Sequence, residues 1–204
     1  MNWLAHVFLS DTNIDNQLGN LLADPLKAKP FSGANSSFKE GIRVHLIIDN
    51  FTDTHPIVKD AKKSITKKGY LKGVALDILY DYFLSIHWNR YCNISKKKFL
   101  EDFRTQALRK IANYPPFAVD IIMKVVINRQ LESYDTLKGV KRALCRIDNK
   151  LSKRAKTKDC AINYMPLIEE ELPYLEQGFL YFFPELMKEV KKNSNTTFKH
   201  WMLK

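Results

Sequence analysis

The stretch Val74-Ala75-Leu76-Asp77-Ile78-Leu79-Tyr80-Asp81-Tyr82-Phe83-Leu84-Ser85-Ile86-His87-Trp88 decides the fold. Leu76, Leu79, Tyr80, Phe83 and Leu84 recur at intervals of three and four and make a broad apolar stripe, which predicts a helix. Inside that stripe Asp77 and Asp81 stand one helical turn apart. Two acids in so apolar a helix are expensive to bury unless a cation or hydrogen-bond donors pair with them. Fold and chemistry are thus read from the same residues.

Helical periodicity also dominates outward from this segment. Further helices are predicted over residues 3–10, 16–23 (closed by Asp24-Pro25), 38–52, 56–67, 96–113 and 117–127. Pro56 suits the first turn of its helix, and Ser95 offers a cap before the next. Leu131, Tyr134, Leu137, Val140, Leu144, Ile147 and Leu151 predict one long amphipathic helix, and residues 166–192 a last one, broken or kinked at Pro173 and Pro184. Glycine is scarce, at 7 residues, and strand-type alternation is hard to find. The expectation is an all-α, single-domain helical bundle over residues 1–192, with 193–204 a disordered or frayed tail.

Composition narrows the class. A content of 45% hydrophobic and 27% charged residues is that of a soluble globular protein. No apolar stretch approaches the roughly 20 residues of a membrane span. The apolar start lacks a basic region and runs at once into polar residues 11–16, so no signal peptide is expected. Cys92, Cys145 and Cys160 have neither disulfide nor metal-finger spacing, which fits a reducing cytoplasm. The net charge of +11 suits a polyanionic partner, whether nucleic acid, anionic lipid or an acidic protein. Its main lysine clusters lie at 62–63, 67–68, 96–98, 150–158 and 188–192; a solvated lysine-rich surface reads equally well from charge alone.

Eight residues in the N-terminal part carry metal-ligating or acid–base chemistry: His6, Asp24, His45, Asp49, Asp53, Asp77, Asp81 and His87. His45, Asp49 and Asp53 follow at i, i+4 and i+8, which puts them on one narrow helical stripe. A histidine and a carboxylate one turn apart can share a metal, or one can orient the other. Read singly, each has a plainer role. His6 reads as a hydrogen-bonded core histidine, Asp24 as a turn residue, Asp53 as a cap for the helix at Pro56, and His87 as a core histidine beside Trp88. Their crowding is the signal. Phosphate loops, dinucleotide glycine fingerprints and nucleophile elbows are all missing.

Four segments then follow in order: Asn2-Trp3-Leu4-Ala5-His6, residues 19–24 (Gly-Asn-Leu-Leu-Ala-Asp), Gly41-Ile42 with His45, Ile48, Asp49, Thr52 and Asp53, and Leu76-Asp77 with Asp81, Phe83, Leu84, His87 and Trp88. Together they resemble the bacterial acyl carrier protein phosphodiesterases, and Phe182-Phe183-Pro184 with Met187 is similar to that family's C-terminal pattern. The resemblance implies an all-α fold related to the His-Asp metal-dependent phosphohydrolases, although this chain lacks the adjacent His-Asp dipeptide. It implies cleavage of the phosphodiester joining 4'-phosphopantetheine to a serine of holo-acyl carrier protein, with manganese as the usual metal. The strongly acidic carrier protein would be the partner that the basic surface docks.

On that reading His6, Asp24, His45 and Asp81 are expected as metal ligands, with Asp49, Asp77 and His87 as further ligands or their supports. Asp53 or His87 would serve as acid or base toward the leaving serine oxygen. Two alternatives stand beside it. One is a metal-dependent phosphohydrolase of a nucleotide or other small phosphate ester. The other is a non-enzymatic basic helical binding protein, against which the stacked acids argue, since they would repel phosphates without a bound cation.

Overall fold

The structure, a computed structural model, describes residues 1–66 and 68–203. It is all-α: α1 (Trp3–Phe8), α2 (Ile14–Leu22), α3 (Ser36–Thr54), α4 (Pro56–Ile65), α5 (Lys72–Ile86), α6 (Trp88–Tyr91), α7 (Lys96–Lys110), α8 (Pro116–Ile127), α9 (Leu137–Lys150), α10 (Lys153–Lys156), α11 (Met165–Glu170) and α12 (Leu172–Asn193). The predicted helix 56–67 ends at Ile65, and Lys67 lies outside the described residues. Among the described residues no helix is long and apolar enough to cross a membrane.

Local chemistry sets the ends. Asn13, Asn35, Ser95, Thr136 and Ser152 each accept a backbone N–H from the first turn of the helix that follows. Pro56 and Pro116 open α4 and α8, where a missing N–H has no helical partner to lose. The long helix expected over 131–151 is divided. Residues Leu131–Asp135 form a 3₁₀ turn, and Thr136, with extended backbone, starts α9 afresh by accepting from Gly139 N–H. Apolar spacing survives such a break; the cap is what reveals it.

α5 is the central element. Leu76, Leu79, Tyr80, Phe83 and Leu84 are all buried in one continuous cluster that also takes in Leu4, Phe8, Leu18, Ile48, Phe179, Phe182 and Phe183. α2 and α3 pack with their backbones nearly touching. A Cβ added at Gly19 would meet the Phe38 carbonyl oxygen at 2.1 Å, and one at Gly41 would meet that of Asn16 at 2.1 Å. Only glycine permits this approach.

The tail expected to fray from residue 193 is instead packed in its last turn, a correction to the reading of 193–204. His200 and Trp201 are buried, and both ring N–H groups reach the Phe8 carbonyl oxygen, at 2.8 and 3.1 Å. Asn93 N–H donates to His200 O, and Met202 N–H to Tyr91 O. Aromatic residues late in a lysine-rich segment pin it to α1; Lys204 lies outside the described residues.

Because neither backbone at the α2–α3 crossing can yield as a flexible side chain would, Gly41→Ala should lower stability by about 3 kcal/mol. In urea titration the midpoint should fall with the slope unchanged. A loss under about 1 kcal/mol would show that the two helices separate freely.

Candidate metal centre

The site begins with one buried side chain, Asn20 of α2. Its amide nitrogen donates to His6 O and to Ser10 Oγ, both at 2.9 Å, and Ser10 Oγ itself donates to His6 O at 2.8 Å. The orientation of the amide is therefore fixed, and its oxygen is left to accept from His6 Nδ1–H at 2.8 Å. The Asn20 backbone carbonyl accepts from His45 Nδ1–H at 3.0 Å. One residue thus sets the tautomer of two histidines, and in their neutral forms both carry the lone pair on Nε2.

Those two nitrogens face oxygens. His45 Nε2 lies 2.9 Å from Asp49 Oδ2 and 3.2 Å from Asp24 Oδ1. His6 Nε2 lies 3.4 Å from Asp49 Oδ1 and 3.1 Å from the Met1 carbonyl oxygen. The imidazole rings stack with centroids 4.2 Å apart. Ligand atoms of His6, His45 and Asp49 all lie within 4.8 Å of one another. A lone pair aimed at a carboxylate is stable only with a proton or a cation between them. Two imidazole nitrogens, the Asp49 carboxylate and the adjacent Asp24 make a donor set suited to a divalent ion that accepts both nitrogen and oxygen, such as zinc, iron or manganese.

Charge follows the same geometry. At His45 burial works against the proton, but the hydrogen bonds and charges of Asp24 and Asp49 outweigh it and hold the group up at about 9. Asp49 is held well below the usual carboxylate range, its burial overcome by hydrogen bonds from His45 and His6. His6 is pushed down, chiefly by burial and in part by His45, so its Nε2 lone pair is the free one. Asp24 is lowered by its bond to His45.

Asp24, which touches His45, joins the cluster to a cleft of about 740 Å³ whose lining does not itself include His6, His45 or Asp49. Asp24 and Asp77 line it, as do Met1, Asn2 and Trp3, Lys124 and Asn128 from the end of α8, and Arg146 and Lys150 of α9. Asp77 Oδ1 is 3.1 Å from the Met1 amino group, which is 3.9 Å from Asp49 Oδ1, so Asp77 belongs to the same neighbourhood. Asn2 donates to Tyr134 OH at 2.8 Å across the cleft lining.

Five of the eight residues expected from sequence therefore converge: His6, Asp24, His45, Asp49 and Asp77. Three do not. Asp81, expected as a ligand, is fully buried and accepts from Leu4 N–H at 2.8 Å and Ala5 N–H at 3.0 Å. It caps α1, whose Asn2 provides no side-chain cap. Burial pushes its carboxyl up to about 7, against the pull of those two bonds. Asp53 is an exposed partner of Lys62 at 2.9 Å. His87 ends α5 and pairs with Glu176 of α12 at 2.6 Å, outside the cluster. Asn20, Tyr134 and Arg146 had no site role in the sequence reading; the asparagine between Gly19 and the apolar Leu21-Leu22-Ala23 was the available signal for the first.

The residues of this cluster lie within the part of the chain that matches known proteins. The sequence model described as acyl carrier protein phosphodiesterase matches residues 1–186. The chain is 30% identical over 193 residues to the acyl carrier protein phosphodiesterase of Yersinia pestis, covering 94% of this chain and 98% of that one. It is 28% identical to the protein of that name from Enterobacter sp. (strain 638), over the same shares of the two chains. The Yersinia enterocolitica protein is 30% identical over 199 residues, covering 94% of this chain and 98% of its own. No solved structure matches.

Two outcomes test the site's electrostatics. His45 is raised from 6.5 to about 9 in the fold, so its contribution to stability is complete below pH 6.5 and disappears as pH rises through 9. With chelator present, Tm should fall over that window, and His45→Gln should flatten the fall; an equally steep fall in the variant would remove the pairing. Asp81→Ala, by contrast, should act on folding at neutral pH, losing about 2–4 kcal/mol in urea titration because two buried N–H groups lose their acceptor.

Proposed function

The chain belongs to the acyl carrier protein phosphodiesterase family, and on that footing we propose that it is a metal-dependent phosphodiesterase acting on holo-acyl carrier protein. It hydrolyses the bond joining 4'-phosphopantetheine to a serine of the carrier, releasing apo-carrier protein and free 4'-phosphopantetheine. The observation that carries this reading is the facing of two imidazole lone pairs and the Asp49 carboxylate beside Asp24, which lines a cleft that also holds Lys124, Arg146 and Lys150.

His6 Nε2, His45 Nε2 and Asp49 would hold the ion, with Asp24 beside them. Manganese, when bound, supplies Lewis acidity and a water of lowered pKa. Asn20 keeps both imidazoles turned so that no proton stands on the ligating nitrogens. Arg146 and Lys124 are the cleft cations available to a phosphoryl group, and such positioned charge is the main protein contribution to phosphoryl transfer. Asp77 lines the cleft with its Oδ1 3.1 Å from the Met1 amino group, and is the cleft carboxyl through which a proton would pass to the departing serine oxygen. Asp53 and His87 lose that role, since their partners are Lys62 and Glu176.

The test is the intact mass of holo-carrier protein incubated with the purified chain and manganese. Loss of the phosphopantetheine mass, stopped by chelator, is expected. His45→Ala and Asp49→Asn should each reduce kcat/KM by about 10³-fold or more, while Asp53→Asn should stay within about threefold of wild type. An unchanged carrier mass alongside metal-dependent hydrolysis of small phosphate esters would shift the substrate to that class.

A further inference from the structure

Between Lys138 and Lys158 the chain carries nine lysines and arginines and one acid, Asp148. That acid is turned inward, accepting from Ala161 and Ile162 N–H at 2.7 and 3.0 Å. Among the described residues none of the nine cations joins an ion pair, unlike Lys62 with Asp53, Lys63 with Asp60, Lys96 with Asp135 and Lys98 with Asp102; Lys188, Lys191 and Lys192 of α12 are likewise without an ion pair but lie away from the cleft lining. The two lower members of α9, Arg146 and Lys150, line the metal-centre cleft. α10 begins three residues further on, and Lys153, Arg154 and Lys156 are exposed on it. The unneutralised strip is therefore continuous with the cleft.

We propose that α9 and α10 form the docking surface for an acidic protein partner, the carrier protein of the reading above, on which this inference rests. A row of cations without ion-pair partners raises the local potential and loses no existing ion pair when an acidic helix covers it. Continuity with the cleft means that a carrier seated on the strip presents a prosthetic-group phosphodiester at the cleft mouth. The strip spans roughly 18 Å along α9 at 1.5 Å per residue, the length of a short helix. A nucleic acid laid along it would carry its phosphates past Asp24 and Asp77, which face the same cleft.

The experiment compares two variants of equal charge change. One is Lys153→Glu/Arg154→Glu/Lys156→Glu on α10. The other is Lys188→Glu/Lys191→Glu/Lys192→Glu, at exposed positions of α12 away from the cleft lining. Binding of holo-carrier protein is measured by fluorescence anisotropy, and metal-dependent hydrolysis of bis(p-nitrophenyl) phosphate reports the centre itself. The α10 variant should weaken carrier binding by about tenfold or more, with hydrolysis of the small ester unchanged, and the α12 variant by less than about threefold. Equal weakening in both would reduce the effect to net charge and overturn the assignment, as would no weakening in either or no carrier binding by the wild type. Tight binding of duplex DNA or RNA lost only in the α10 variant, with carrier binding intact, would assign the strip to nucleic acid instead. Carrier binding that depends on α10 without any cleavage would retain the docking surface and remove the proposed reaction.

Discussion

The close crossing of α2 and α3 is the constraint on which the site depends. Gly19 and Gly41 let two backbones meet at distances that any Cβ would block. At that separation a carbonyl of α2, that of Asn20, reaches a ring nitrogen of His45 on α3, while the Asn20 side chain reaches back to His6 on α1. Three helices are thereby fixed to one another through a single residue. Moving α3 outward by the width of a methyl group would break the bond to His45 while sparing the one to His6, and the two imidazoles would no longer share a direction. Packing here is a precondition for chemistry, because the tautomers follow from the helix separation.

The acids of α5 show how one helix divides structural and chemical work. Asp77 and Asp81 are a turn apart and look alike in sequence, yet the first lines the cleft and the second lies wholly inside. A drift of about 40° per four residues is enough to separate them when the helix is packed on nearly all sides. Asp81 then meets the N-terminus of α1, where unsatisfied N–H groups and the positive end of the helix favour a carboxylate. It acts on His6 at one remove, by fixing the turn from which that histidine projects. Sequence spacing identified the need for a partner at both acids; it could not say which would find backbone donors and which would stay free.

The legible parts of this protein are those written in periodicity and in local residue chemistry. The all-α class and the pairing of His45 with Asp49 follow from spacings of three and four, since i and i+4 share a face whatever the tertiary context, and the cap at Ser95 and the helix start at Pro56 follow from local residue chemistry. The mistaken parts required contacts between residues distant in sequence. Nothing near Asp53 announces Lys62 as its partner rather than a metal, and nothing near His87 announces Glu176 from another helix. The packed tail is of the same kind: Phe198, His200 and Trp201 sit among polar residues, and only the carbonyl of Phe8 and the edge at Cys92 give them a place. The break before α9 was written locally, in Thr136, but an unbroken apolar rhythm concealed it.

The charge distribution ties the fold to its reading as an enzyme. A chain of net charge +11 gathers Asp24, Asp49 and Asp77 around the two histidines and the Met1 amino group, so the sign at the cluster is opposite to the global one. An anion drawn in by the exterior would meet carboxylates at its destination. The proton on His45 and the Met1 amino group partly offset them. A divalent ion on the two Nε2 lone pairs would resolve the conflict by reversing the sign at the cluster alone. On the proposed reading, basic exterior and acidic cluster would be complementary parts of one arrangement: the first would attract a large acidic partner over distances comparable to the Debye length, and the second would disfavour phosphate without a bound cation.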